Sequence, residues 1–399
     1  MKHSTPIVGV ISVSLICLLD AARADEGDAL NFYVGQAFRH ESNLFRVADE
    51  SAAPDGKQYD RISETTVGLK FDRTYGRQHI FADLSLLSER FDVHSKLNHD
   101  SPDIRLGLGW ELGNRWSGVV SHSYQESLIG FDETAARERN LNTYERSLAT
   151  ADFWWHPRWA TGVGVARTRN RFDQDELAQS EFESHSVEAN LTYRPPTGNR
   201  VILTLRDTDG EYPNRPAVAG SIREYRQREV RLGGEWQLTG ATGLTGFIGR
   251  TRVEYEHAPD RDFSGTIGRI SVLWRPTVKT SVEATVRREV GAQQDRTTNY
   301  AIVDAVTLSP RWLVTEKVAV GAGLEWRRRD FRGEPLLPGL EPIRGKAAER
   351  SHRYRLYAEY RPMRALTLEL NLQRQVRRGS NSFSGYSANI AEVSANFEF

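Results

Sequence analysis

Two histidines stand two residues before a serine, His40 with Ser42 and His99 with Ser101, a spacing that puts both side chains on one face of an extended strand. An imidazole so placed could activate the hydroxyl for acyl transfer. The surroundings argue against it, because the first pair lies at a strand end and the second in a polar loop expected from Asp92 to Pro102. His122 has Ser121 and Ser123 as neighbours, but adjacent strand residues face opposite ways and cannot pair. No His/Glu spacing within a strand suits zinc, and the acidic stretch Glu256 to Asp262 reads as solvated loop rather than a calcium site. Gly233-Gly234 reads as close packing or a bend rather than a phosphate cradle. The expectation is a chain without catalytic residues, metal or cofactor.

More informative are charged residues that alternate with apolar ones inside strand-like segments. Following that alternation, Arg105, Glu111, Glu188, Arg194, Arg206, Arg231, Glu235, Glu283, Arg287, Arg327, Arg353, Arg355, Glu359 and Glu369 share the face opposite the apolar one. If the apolar face meets lipid, these residues line an aqueous lumen, where charged rings tune selectivity. Equally, they could form cross-strand ion pairs that hydrate and stiffen a wall. The arginine excess late in the chain, at Arg287, Arg327 to Arg329, Arg353 and Arg355, points to a path for polyhydroxylated or anionic solute.

The elements that must position them are β-strands. Period-two alternation recurs from Leu30 to the C-terminus in segments of about 10 residues, long enough to cross a bilayer when tilted. In Ile104 to Leu112 the apolar set is Ile104, Leu106, Leu108, Trp110 and Leu112, against Arg105, Gly107, Gly109 and Glu111. Leu366 to Leu372 alternates four leucines with Thr367, Glu369 and Asn371. A soluble sandwich could share this pattern. The connections separate the two readings. Short turns, among them Tyr75 to Gln78, Gly113 to Arg115, Pro195 to Asn199 and Ser309 to Arg311, alternate with long polar stretches such as Glu41 to Asp60, Glu126 to Asn142 and Arg329 to Arg350. That asymmetry marks transmembrane barrels, with short periplasmic turns and long extracellular loops. The expected fold is all-β: a transmembrane antiparallel up-and-down β-barrel of about 18 strands. Eight tryptophans (110, 116, 154, 155, 159, 236, 274 and 312) fall near short turns, as an aromatic girdle at the membrane interface would require; Trp326 lies toward the other end.

The ends agree with that fold. Lys2 and His3, the apolar run Ile7 to Leu19 and Ala22-Arg23-Ala24 read as a cleaved signal peptide over 1–24, leaving 25–399 as one barrel domain. The run is about 13 residues, too short for a spanning helix. Cleavage would also remove Cys17, the only cysteine, so no disulfide or thiolate site is expected. Lys+Arg and Asp+Glu number 53 each, and losing Lys2, Arg23 and Asp20 leaves one more acid than base, which argues against a nucleic-acid binder. At the C-terminus Phe397 and Phe399 alternate with polar residues, with Glu392 further upstream. This end resembles the assembly signal of bacterial outer-membrane barrels, with Ser394 where that signal usually has glycine.

Leu30-Asn31-Phe32-Tyr33, Asn43-Leu44-Phe45-Arg46, Tyr75-Gly76-Arg77-Gln78 and Leu112-Gly113-Asn114-Arg115-Trp116-Ser117-Gly118 carry a further likeness. The chain resembles the EpsL-like outer-membrane barrels of exosortase-associated extracellular polysaccharide clusters, within a broader group of β-barrel porins. The resemblance implies a Gram-negative outer-membrane location and a part in exopolysaccharide production or export. It also implies outer-membrane lipid, the barrel-assembly machinery, a polysaccharide and periplasmic polysaccharide-export proteins as partners. Solute-uptake porin and non-conducting assembly component are the competing expectations.

Overall fold

A computed structural model describes residues 29–48, 56–132, 137–216, 223–256, 259, 262–292, 300–332, 348–379 and 385–399. The expected signal peptide lies outside them. Eighteen strands form one antiparallel sheet. They are β1 (Leu30–Glu41), β2 (Asp60–Tyr75), β3 (Gln78–Phe91), β4 (His99–Leu112), β5 (Trp116–Leu128), β6 (Leu141–His156), β7 (Trp159–Phe172), β8 (Phe182–Tyr193) and β9 (Arg200–Glu211). The second half is β10 (Glu224–Thr239), β11 (Thr242–Tyr255), β12 (Phe263–Thr277), β13 (Thr280–Ala292), β14 (Tyr300–Leu313), β15 (Val318–Arg332), β16 (Ala348–Met363), β17 (Leu366–Gly379) and β18 (Tyr386–Glu398). Each strand pairs with its chain neighbours, and β1 closes on β18 from Tyr33 opposite Glu398 to Glu41 opposite Ile390. Phe32 and Phe399 exchange backbone hydrogen bonds of 2.7 and 2.8 Å at the foot of this seam.

Closure leaves two faces. The outer one carries Leu106, Val163, Val187, Leu205, Val230, Ile248, Val286, Val306, Leu356, Leu372 and Val393, all strongly exposed, as apolar side chains facing lipid must be. The inner face is polar, and its contacts skip strands: the Tyr33 hydroxyl on β1 donates to Asp83 on β3 at 3.0 Å, reaching past β2. No helix among the described residues is long and apolar enough to cross a membrane; the crossing is by strands.

The strands run 12 to 16 residues, longer than the alternation suggests, because pairing continues past the apolar band into polar sequence. His99, expected in a loop, is therefore the first residue of β4. The turn expected at Ser309 to Arg311 lies instead at residues 314–317, and β14 runs through it. Pro310 sits opposite Val282 on β13, while pairing with β15 skips from Leu308 to Arg311. The interrupted ladder accommodates the missing N–H. The girdle is present in the exposed rings of Trp116, Trp155, Trp236, Trp274 and Trp312. Trp154 departs from it, since it follows the outward Phe153 and precedes the outward Trp155, and its ring lies on the inner face, 4.2 Å beneath the Arg194 guanidinium.

One glycine pair marks a close approach of neighbouring backbones. Gly234 and Gly246 face each other across β10 and β11. A Cβ on Gly234 would lie 2.0 Å from the Arg200 carbonyl oxygen, and one on Gly246, at φ +154°, 2.1 Å from that of Arg269. Both obstacles are backbone and cannot swing away. Gly246→Val should destabilise the barrel by about 1–3 kcal/mol or more through strain. Heat-dependent mobility of the folded barrel in detergent gels should show a lower unfolding temperature than wild type.

Candidate functional site

The inner wall is the only face where polar groups converge from distant parts of the described chain, and its charges fall into three sectors. At the loop end of β1–β4, Arg39 reaches Glu64 at 2.7 Å, Glu89 at 3.0 Å and Glu41 at 3.3 Å. His99 Nε2 lies 2.9 Å from Glu89, and its Nδ1 is 2.8 Å from the Leu97 carbonyl oxygen. Both ring nitrogens are thus engaged, and Ser101 Oγ is buried without a hydrogen-bond partner. The His-x-Ser pair cannot serve as a base and nucleophile.

On β8–β11, Arg206 contacts Glu188 at 2.5 Å and Glu229 at 3.7 Å, Arg231 pairs with Glu229, and Arg200 pairs with Glu235. On β13–β17, Glu325 gathers Arg327 at 2.8 Å, Arg353 at 3.8 Å and Arg287 at 3.9 Å. Arg355 spans Glu369 at 2.7 Å and Asn371 at 2.9 Å. Glu359 receives Arg361 at 2.8 Å and Arg311 at 3.3 Å. Arg105 pairs with Asp103 at 2.6 Å. Glu111 and Glu283 share the inward face of their strands, and neither has an ion-pair partner among the described residues.

Most of these pairs are partly exposed, and pairs of that kind contribute about 0–1 kcal/mol each. They do not hold the barrel together. Their chemical effect is a hydrated, mixed-charge surface. Cations also lie over aromatic rings along it: Lys70 over Tyr33 at 4.8 Å, Arg231 over Phe247 at 4.8 Å, Arg355 over Tyr357 at 5.0 Å and Arg377 over Tyr386 at 4.7 Å. Such cation–ring pairs recur along the wall from the short-turn end, at Tyr33, to the loop end, at Tyr386.

The loop end of the lumen is narrowed by chain that folds inward. Leu44, Phe45 and Val47, from the segment after β1, pack with Ile62, Phe91, Leu97 and Phe131 into a buried apolar cluster. Phe45 meets His94 and Phe131 edge-on, at 4.7 and 4.8 Å between ring centres. Asn43 clasps the turn: its Nδ2 donates to Val47 O at 2.7 Å and to Ser387 O on β18 at 3.0 Å, while Val47 N donates to its Oδ1 at 3.1 Å. Arg46 adopts the left-handed conformation at φ +53° and reaches Glu41 at 2.7 Å and Gln375 at 3.2 Å. Beneath the cluster Asp60, fully buried, accepts from the backbone N–H groups of Arg61, Val93 and His94 and lies 2.8 Å from His94 Nδ1. Across the lumen Arg377 donates to the Asp132 carbonyl oxygen at 2.8 Å. A second apolar cluster of Tyr212, Val253, Tyr255 and Phe263 lies against β8–β12. Burial pushes the Tyr212 phenol above its ordinary pKa. Loop residues 43–47 and the Arg39 sector were not among the expected lumen residues. Arg39-x-Glu41 was readable as inward alternation, but inward folding of a polar loop has no periodic signal.

At the closing seam Glu392 stands opposite Arg39 and Ser394 opposite Ala37, while the Phe397 and Phe399 rings lie tilted with centres 5.6 Å apart. Among the described residues no three His, Cys, Asp or Glu side chains group as metal ligands.

No family model matches the chain. A surface lipoprotein assembly modifier of Pasteurella multocida is 23% identical over 193 residues, which are 45% of this chain and 38% of that protein. The chain thus spans well under half the length of this curated relative. The crystal structure of Pseudomonas aeruginosa OccK2 (OpdF) superposes with a TM-score of 0.51 at 12% identity, over 93% of this chain and 98% of that one. The same protein in complex with glucuronate gives 0.50 at 11% identity, with the same coverage. The fold is the closed antiparallel barrel of such outer-membrane porin structures.

Asn43→Ala plus Phe45→Ala should release the inward turn without opening the sheet. Hydrogen exchange at residues 42–48 is expected to rise by more than tenfold, while exchange in β1 and β2 stays at wild-type rates, since the three Asn43 hydrogen bonds and the two Phe45 ring contacts are together worth about 2–4 kcal/mol or more.

Proposed function

We propose that this chain is a non-enzymatic channel of the Gram-negative outer membrane, and that the solute it conveys is a secreted polysaccharide. The observation that supports this most is the inner wall, where arginine forks lie against aromatic rings on β10–β11 and β16–β18. A sugar presents an apolar ring face and a rim of hydroxyls. Aromatic faces suit the first, and guanidinium and carboxylate groups suit the second, most strongly where the sugar carries a carboxylate. A barrel of the same fold with glucuronate bound is compatible with an acidic sugar. The EpsL-like motifs add the expectation of an exopolysaccharide cluster, in which periplasmic export proteins would deliver the chain to the short-turn end. The barrel-assembly machinery would read Glu392, Ser394, Phe397 and Phe399. Charges that are worth little to stability are retained on this reading because a hydrated wall lets hydroxyls pass without meeting lipid.

Deleting the gene should abolish secreted exopolysaccharide, and the wild-type chain should restore it. The Arg353→Ala plus Arg355→Ala variant should restore it about tenfold less well or worse, since charge-assisted hydrogen bonds are worth about 1.5–3 kcal/mol. Unchanged secretion in the deletion strain, with ion-conducting barrels in planar bilayers, would identify an uptake porin instead. A barrel that neither conducts nor binds glycan would identify an assembly component, the reading that the likeness to the lipoprotein assembly modifier favours.

A further inference from the structure

Above the apolar band, on the loop side, the outer face of the barrel carries arginines, and most are neutralised in place. Arg61 pairs with Asp92 at 2.8 Å, Arg90 with Asp100 at 2.7 Å, Arg167 with Glu183 at 2.6 Å, Arg226 with Asp207 at 2.6 Å and Arg288 with Asp304 at 2.6 Å. One sector differs. Arg328 on β15, Arg350 on β16 and Arg378 on β17 stand side by side across three neighbouring strands. Only Arg328 has a carboxylate, Asp330 at 2.9 Å. Arg350, Arg378 and, two outward steps nearer the membrane past Val376, Arg374 are exposed and have no acidic partner among the described residues. Like charges directly opposite in a sheet repel, and here no carboxylate on the outer faces of β16 or β17 offsets them.

What lies below the row identifies the missing counter-ion. Arg374 is level with Tyr354, and the next outward pair is Leu356 opposite Leu372, followed by Ala358 opposite Leu370. Leu356, Leu372 and Leu370 are 61, 47 and 45% exposed, a greasy column directly beneath the guanidinium groups. A ligand spanning both zones needs an anionic head and hydrocarbon tails. Long loops face outward in such barrels, so the row sits at the headgroup level of the outer leaflet. We infer that Arg350, Arg374 and Arg378 form a binding site on the outer wall for the phosphate groups of an outer-leaflet glycolipid, whose acyl chains lie along Leu356, Leu370 and Leu372. Arginine suits this role because its planar fork takes phosphate oxygens two at a time.

The test uses the full barrel purified in neutral detergent and read by native mass spectrometry. Bisphosphorylated lipid A should remain bound to the wild type, and its dephosphorylated counterpart should bind at least tenfold more weakly. Arg350→Gln plus Arg378→Gln should lose that preference, whereas Arg226→Gln, in a paired sector, should keep it. If the double variant fails to give a heat-resistant barrel, each single variant carries the same comparison with a smaller loss. Equal binding of phosphorylated and dephosphorylated lipid, unchanged binding by the variants, or displacement of lipid A by inorganic phosphate at equal concentration would overturn the assignment.

Discussion

Every backbone donor and acceptor at membrane depth must be paired within the protein, because hydrocarbon offers no partner. The rest of the structure follows from that constraint. An open sheet would expose two edges, so β1 must meet β18, and an antiparallel seam with both termini at one end requires an even number of strands. Once the sheet is closed, alternation assigns each side chain to lipid or lumen. Arg355 and Leu356 are adjacent in sequence and lie in different solvents.

The pairing ladder supplies the stability, which frees the inner wall to carry groups chosen for solvation. Arg39 with its three carboxylates and the arginines around Glu325 would be costly in a dry core. In a wide, hydrated lumen they are affordable, and they make the interior a polar surface. Against this, the loop end holds a buried apolar cluster where Phe45, Phe131 and Ile62 meet beside the charged wall.

Strand number, face and end were legible in the sequence because each leaves a periodic or compositional mark. Leu366 to Leu372 alternates cleanly, and five of the eight short turns between these strands carry Gly, Asn or Pro. The misreadings have physical causes. At Ser309 to Arg311 a proline that usually ends strands was absorbed by a gap in one ladder. At His99 the strand continued into polar sequence, where lipid no longer enforces alternation. Trp154 faces inward because its neighbour Trp155 takes the outward place, and two adjacent strand residues cannot both join a girdle. The inward fold of residues 43–47 depends on Asn43 reaching Ser387, a contact 344 residues away in the chain. No local pattern could announce it.

The assignment of faces is tested most directly by cysteine accessibility, since the chain beyond the expected leader has no cysteine of its own. Single substitutions Arg355→Cys, Leu356→Cys, Tyr357→Cys and Ala358→Cys along β16 would be exposed, in intact outer membranes, to a small charged thiol reagent. Positions 355 and 357 should react rapidly from the lumen, and 356 and 358 should react at least tenfold more slowly behind lipid, where a thiolate scarcely forms. Uniform reaction at all four positions, or the opposite alternation, would contradict a closed barrel with a hydrated interior.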